Sequence, residues 1–300
     1  MPQFFLLQFF ISLIVHRVFL CYTEKKVTLY GDNNMVKIIA TDLDGTLINS
    51  RRRVPDDFEE VWNILHENDI VLLAASGRDY TGAAGFFGHM AEKMMFICDN
   101  GANIYDCGKV LETHNISNDK IHQMLRLIDT IEEADPMLCG AKGTYVTKGS
   151  PAFMKKMENH YSPVTWVDSL YDVDDEIFKL SVYDATGDIE NHTYKPLAEK
   201  FSEGMTIHMS ANIWVDIMDK SADKGIALNQ VQKMLGATKE ETMAFGDFYN
   251  DIPLLDQAGY RFVMENAPED LKSKYPYRAD TNANDGVTKA IKEWVISKLK

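Results

Sequence analysis

The chain has 300 residues, with 45 acidic against 31 basic side chains and a formal net charge of −14. That balance argues against nucleic acid as a partner, because a phosphate backbone calls for a basic surface, but it leaves room for a small phosphorylated ligand, since one bound cation inverts the sign inside a single pocket. With 45% hydrophobic and 25% charged residues, the composition is that of a soluble globular protein with core enough for one large domain or two modest ones.

The first element in chain order is an apolar run from Phe4 to Val15, interrupted by Gln8 and resuming after His16-Arg17 through Tyr22. It is short for a membrane span and carries a charge. It has the length of a signal-peptide core, but no Lys or Arg precedes it and no clear small-residue cleavage site follows. The preferred reading takes Met35 as the natural start and residues 1–34 as an N-terminal extension outside the fold, with no stable membrane association; a membrane anchor, a signal peptide and a packed helix are the alternatives. Cys21, Cys98, Cys107 and Cys139 show no metal spacing, and unpaired cysteines fit a reducing compartment, hence a cytoplasmic protein.

From Val36 the pattern alternates between strand and helix. Val36–Thr41 reads as a buried strand, Pro55–Glu67 as a helix with Val61, Ile64 and Leu65 on one face, and Ile70–Ala74 as a second strand. Tyr80–Met90 is glycine-rich without the order of a dinucleotide loop, and is expected to be a helix packed closely on a sheet. Met95–Cys98 is a third strand, followed by a hairpin of Asn103–Tyr105 and Lys109–Leu111. Near Ile116 the pattern changes: helices Asp119–Glu133, Pro151–Tyr161 and Ile189–Phe201 are interspersed with strands Gly143–Thr147, Ile177–Tyr183, Met205–Met209 and Ile213–Ile217. The Met and aromatic residues of this section, Met154, Met157, Trp166, Met209 and Trp214, are expected in its core. The earlier rhythm returns with helix Lys224–Leu235, strand Thr242–Phe245, helix Ile252–Ala258, strand Tyr260–Met264 and helix Gly286–Lys300. The fold class is therefore α/β: a doubly wound, Rossmann-like, mostly parallel core formed by residues 35–115 and 213–300, interrupted by an α/β cap at 116–212.

Four polar clusters sit at element boundaries, where open α/β sheets place their sites. Asp42-Leu43-Asp44-Gly45-Thr46-Leu47 follows the first strand; two carboxylates at i and i+2 of a strand share a face, repel one another, and would be relieved by a hard cation. Gly45 allows a sharp turn. Ser76-Gly77-Arg78 follows the second strand, Lys224-Gly225 opens a helix, and Gly246-Asp247-Phe248-Tyr249-Asn250-Asp251 follows the strand that ends at Phe245. A lysine in the first turn of a helix opposes the helix dipole, which favours a functional reason for Lys224.

Together these clusters resemble the four motifs of the haloacid dehalogenase-like hydrolases, and in detail the Cof-type phosphatases, over residues 35 to 300. The resemblance implies Asp42 as a nucleophile forming an aspartyl-phosphate and Asp44 as general acid and base, its backbone carbonyl also facing Mg²⁺. It further implies Ser76 as a phosphoryl hydrogen-bond donor, Lys224 as the charge-neutralising cation, Asp247 as a direct metal ligand, and Asp251 as acting through a metal-bound water or by orienting Lys224. Gly45, Gly77, Arg78, Asn100, Gly101 and Asn250 are the implied phosphate- or substrate-binding residues; Arg78 either reaches the substrate or pairs with a carboxylate. In the cap, Lys142, Tyr145, Lys148, Lys179 and His208 are equally explained as surface or packing residues. The expected activity is Mg²⁺-dependent hydrolysis of small phosphorylated metabolites by a monomer or homodimer. A phosphomutase and a non-catalytic phospholigand-binding protein are the alternatives, the latter having no need of Asp44.

Overall fold

The computed structural model describes residues 36–158, 164–209 and 213–299, so the expectations for residues 1–34, Cys21 among them, fall outside the described residues. The strands run β1 (Ile38–Thr41), β2 (Val71–Ala75), β3 (Met95–Cys98), β4 (Asn103–Asp106), β5 (Lys109–Thr113), β6 (Ala134–Gly140), β7 (Gly143–Val146), β8 (Val164–Trp166), β9 (Ile177–Asp184), β10 (Met205–Met209), β11 (Trp214–Asp219), β12 (Thr242–Gly246), β13 (Tyr260–Met264) and β14 (Tyr277–Ala279). They form two sheets, one ordered β14-β13-β12-β1-β2-β3-β4-β5 and one ordered β10-β11-β9-β6-β7-β8.

In the first sheet β14 through β3 are all parallel, and β4 and β5 add an antiparallel edge. Parallel strands covered on both faces read as continuous apolar runs, and every residue of β1 is buried. Alternate residues serve opposite faces. Ile39, Leu72, Phe245 and Phe262 pack with Phe58, Val61 and Leu65 of helix Phe58–Glu67 and with Ile291 of helix Gly286–Trp294. Ile38, Ala40, Leu73 and Ala244 pack on the other face with Ala227, Leu228 and Val231 of helix Lys224–Leu235. Each fully buried apolar side chain of this size contributes roughly 1.5–3 kcal/mol. The segment 80–90 is helical only over Tyr80–Ala84, with a 3-10 turn over Gly88–Lys93, because the glycines that ease close packing also weaken a continuous helix.

The second sheet is antiparallel except for the β7–β8 pair, and helices Asn118–Ile128 and Lys195–Phe201 bury Met124, Leu125 and Leu197 against it. Here the sequence boundaries need correction. Residue 213 does not begin the return to the core: β11 pairs with β9 and β10, so the second sheet extends to Asp219. Trp166 and Met209 are exposed rather than in the core, since each lies in an edge strand of this sheet.

One buried ion pair ties the two sheets together. Lys179 of β9 donates to the Asp99 carboxylate just after β3 at 2.5 Å, with the side chains 13% and 1% exposed. Burial lowers the Lys179 pKa and raises that of Asp99; the charges of Asp99, Cys139 and Asp216 reverse the first and leave Lys179 well above its usual value, whereas Asp99 stays raised. Removing one partner of such a pair costs about 3–5 kcal/mol. The expected result is that Lys179→Met lowers the urea unfolding free energy by about 3 kcal/mol, and that adding Asp99→Asn recovers most of it. The Asp99 pKa, raised in the folded state, makes ionised Asp99 increasingly destabilising as pH climbs from the unfolded value through the folded one. The deficit of Lys179→Met should therefore shrink as pH is lowered through that window. A single variant as stable as the parent at neutral pH would show that the pair contributes nothing.

Candidate active site

Adjacent parallel strands end on the same edge of a sheet. The order β12-β1-β2-β3 therefore brings together residues that follow four different strands: Asp247 after β12, Asp42 after β1, Ser76 after β2 and Asn100 after β3. This edge, where the strand order reverses direction from β1, is the ligand-binding position of open α/β sheets. It opens into a cavity of ≈ 770 Å³ lined by Asp42, Ser76 and Lys224 of the first sheet and its helices and by Thr206, His208 and Asp216 of the second.

The charge arrangement is asymmetric. Lys224 is buried at the start of its helix and donates to Asp42 Oδ1 at 2.6 Å and Asp251 Oδ1 at 2.7 Å. Asp223 caps the same helix by accepting from the backbone N–H groups of Gly225 and Ile226, which offsets the cost of a cation in the first turn. Asp251 also accepts from the backbone N–H groups of Asp247 and Phe248 through Oδ2. One lysine thus serves a group of three carboxylates, Asp42, Asp247 and Asp251, whose oxygens lie within 4.8 Å of one another. Burial, with repulsion from Asp251 and Asp247, raises the Asp42 pKa well above the usual carboxylate range against the pull of Lys224. Burial raises Asp247 to about 6. Three oxygen donors held together at this energetic cost fit a hard divalent cation, which would relieve it.

Backbone turns fix this geometry. Gly45 has φ of 86°, and a Cβ there would strike the Asp247 carboxylate; Thr46 Oγ1 donates to Asp247 Oδ1 at 2.8 Å. Thr46 has no role in the sequence reading, although it sits inside the first motif; its signal is the hydroxyl one residue beyond the turn glycine. The sequence expectation that Asp42 and Asp44 converge on one spot is corrected. β1 ends at Thr41, so the strand period no longer applies, and the Asp44 carboxylate lies outside the group of three. It is instead clamped by Arg78, whose Nε and Nη2 donate to its two oxygens at 2.6 and 2.7 Å. The carboxylate beside Arg78 is thus that of Asp44, and Arg78 also lines the cavity.

Ser76 is buried, and its Oγ accepts from the Arg78 backbone N–H at 3.1 Å. Asn100 has φ of 52°; its Oδ1 accepts from Asn250 Nδ2 at 3.3 Å and its Nδ2 lies 3.4 Å from His208 Nε2. Gly77 packs against the Asn100 amide, and Gly101, with φ of 106°, lies against the Asp223 backbone. Of the five cap candidates only His208 lines the cavity. Burial keeps its pKa below the usual histidine value despite Asp216. Lys142 and Tyr145 bond Asp174 and Asp175, and Lys179 holds Asp99. Asp216 and Thr206 also line the cavity; no motif marks them, because they are alternating residues of ordinary strands.

The haloacid dehalogenase-like hydrolase family model matches residues 39–291. The chain is 28% identical over 258 residues to 5-amino-6-(5-phospho-D-ribitylamino)uracil phosphatase YbjI of Escherichia coli, covering 85% of this chain and 95% of that one. It is 27% identical over 262 residues to the phosphatase YcsE of Bacillus subtilis, which bears the same substrate name, covering 87% and 96%. A solved structure from Streptococcus mutans is 31% identical, with a TM-score of 0.76 over 86% of this chain and 98% of that one. The chain belongs to the haloacid dehalogenase-like hydrolases, and within them it is a Cof-type phosphomonoesterase.

Proposed function

We propose that the protein is a Mg²⁺-dependent phosphatase of small phosphorylated metabolites that works through an aspartyl-phosphate on Asp42. The observation that carries this reading is the single buried lysine shared by Asp42 and Asp251, beside Asp247, at the floor of a cavity large enough for a metabolite. The substrate names of the Escherichia coli and Bacillus subtilis relatives extend to this chain as a candidate class, a polyol phosphate joined to a heterocycle.

In the proposed reaction an Asp42 carboxylate oxygen attacks phosphorus and the ester oxygen leaves with the bond electrons. Asp44 supplies the proton to that oxygen, then takes one from the water that hydrolyses the acyl-phosphate. Because Asp44 is held by Arg78, that pair opens or turns as the substrate enters. Lys224 offsets negative charge on Asp42 and on the phosphoryl group, and Ser76 Oγ donates to a phosphoryl oxygen. Asp42, Asp247 and Asp251, with the Asp44 carbonyl, are the groups that would hold Mg²⁺, directly or through water. Bound Mg²⁺ supplies charge neutralisation on the transferring phosphoryl group.

The test is phosphate release from a panel of sugar phosphates, nucleotides and phosphorylated cofactors, assayed with Mg²⁺ and after verified metal removal by chelation. Turnover is expected on at least one natural ester, to fall below detection on chelation, and to return with Mg²⁺. Undiminished turnover without metal would overturn the metal assignment, and no turnover on any ester would overturn the reading itself.

A further inference from the structure

Six large hydrophobic side chains are exposed among the described residues: Val110, Trp166, Met209, Ile226, Phe248 and Tyr249. Three of the six, Met209, Phe248 and Tyr249, line the cavity that Asp42 and Asp247 also line. Exposed apolar side chains scattered singly need no explanation, but a group at the rim of a polar cleft marks a binding surface. None of the three is required by the phosphoryl chemistry.

The platform is rigid where it must be. Phe248 directly follows Asp247, and its backbone N–H donates to Asp251 Oδ2 at 3.2 Å, so the carboxylate that holds Lys224 also fixes the base of this side chain. Its ring packs edge-on against Tyr249 with centroids 4.9 Å apart, and the residue as a whole is 53% exposed. Tyr249 is in turn anchored by its hydroxyl donating to Asp270 at 2.9 Å. Met209 comes from the other sheet, at the end of β10, one residue beyond His208. The rim is thus apolar on contributions from both sheets, while Asn100 and His208, 3.4 Å apart, present donors and acceptors to the same space.

We propose that Phe248 and Met209 form a contact surface for a planar heterocycle in the leaving group of the substrate, with Asn100 and His208 meeting its polar edge. Aromatic and polarizable side chains favour a flat π-system over a hydrated polyol, and the phosphate end of such a molecule reaches Asp42 while the ring stays at the mouth. This inference rests on the phosphatase reading for the position of the phosphate, and names the feature by which one phosphomonoester is chosen over another.

The test compares kcat/KM for uridine 5′-monophosphate and flavin mononucleotide with that for ribose 5-phosphate, which lacks a ring system of this kind. Stacking of one base on one aromatic side chain is worth roughly tenfold, so at least one ring-bearing ester is expected to be preferred by about that factor. Phe248→Ala should bring the ratio to near one, and Phe248→Tyr should keep it. The ratio is insensitive to a general loss of activity or folded fraction. Equal kcat/KM for all three esters in the parent protein, or a preference that survives Phe248→Ala, would overturn the proposal. If no ester is hydrolysed, the phosphatase reading fails separately, and calorimetric titration with uridine and riboflavin decides this one. Binding weakened about fivefold or more by Phe248→Ala supports it; no binding, or binding unchanged by the substitution, overturns it.

Discussion

Asp42→Asn is expected to lower kcat on a natural phosphomonoester by roughly 10⁴-fold or more while leaving the metal-free protein at least as stable as its parent. The first half follows from the proposed chemistry: an amide of nearly the same shape cannot form the acyl-phosphate. The second half follows from electrostatics. Burial, and then Asp251 and Asp247, push the Asp42 pKa up against Lys224, so the ionised form of Asp42 works against folding at neutral pH. Neutralising it removes repulsion from a group in which three carboxylates share one lysine, and the amide oxygen can still accept from Lys224. Steady-state kinetics and thermal melts of the metal-free protein check both halves. Turnover within a hundredfold of the parent would remove Asp42 from the nucleophile role. A marked fall in melting temperature would show that Lys224 already compensates the charge of Asp42 in full.

This contrast also shows what was legible in the sequence. The parallel core was legible because buried strands leave continuous apolar runs: β13 and helix Lys224–Leu235 have the bounds expected of them. The site was legible because each of its motifs lies at the end of such a run, and strand adjacency then brings distant positions together. Other features were not. β6 contains Pro136 and Gly140, residues that argue against a strand, yet it pairs between β9 and β7. β14 has three residues, too few for a period to show. Asp44 was expected beside Asp42, but the period-2 rule holds only while the chain remains a strand, and the turn after Thr41 sends Asp42 to Lys224 and Asp44 to Arg78. Met209 was misread for a related reason. Met209 alternates like any core residue of β10, and only its place in an edge strand, beside the cavity, leaves it exposed.

Lys224→Met should do the opposite of Asp42→Asn. The side chain is 1% exposed and bonded to two carboxylates; methionine keeps much of its volume and removes only the charge and its donors. Asp42, Asp247 and Asp251 would then stand together with no cation between them, and leaving buried charge uncompensated costs about 3–5 kcal/mol. For a protein of this size that is a fall in melting temperature on the order of 10 °C. The sign with pH follows from the raised pKa of Asp42, which loss of Lys224 raises further. A carboxylate whose folded pKa exceeds its unfolded one binds its proton more tightly in the folded state, so the deficit shrinks as pH falls and grows as pH rises through the folded value. Added Mg²⁺ should recover more stability in Lys224→Met than it adds to the parent, because a cation then meets the uncompensated charge of three carboxylates rather than that of three offset by a lysine. Activity should not return with it, since the ion cannot replace the donors that Lys224 directs at Asp42. Melting curves across pH, with and without Mg²⁺, measure all of this. A variant that melts with the parent and gains nothing extra from Mg²⁺ would mean that the three acids are already protonated or screened in the folded protein, and that the charge arrangement proposed for the site is wrong.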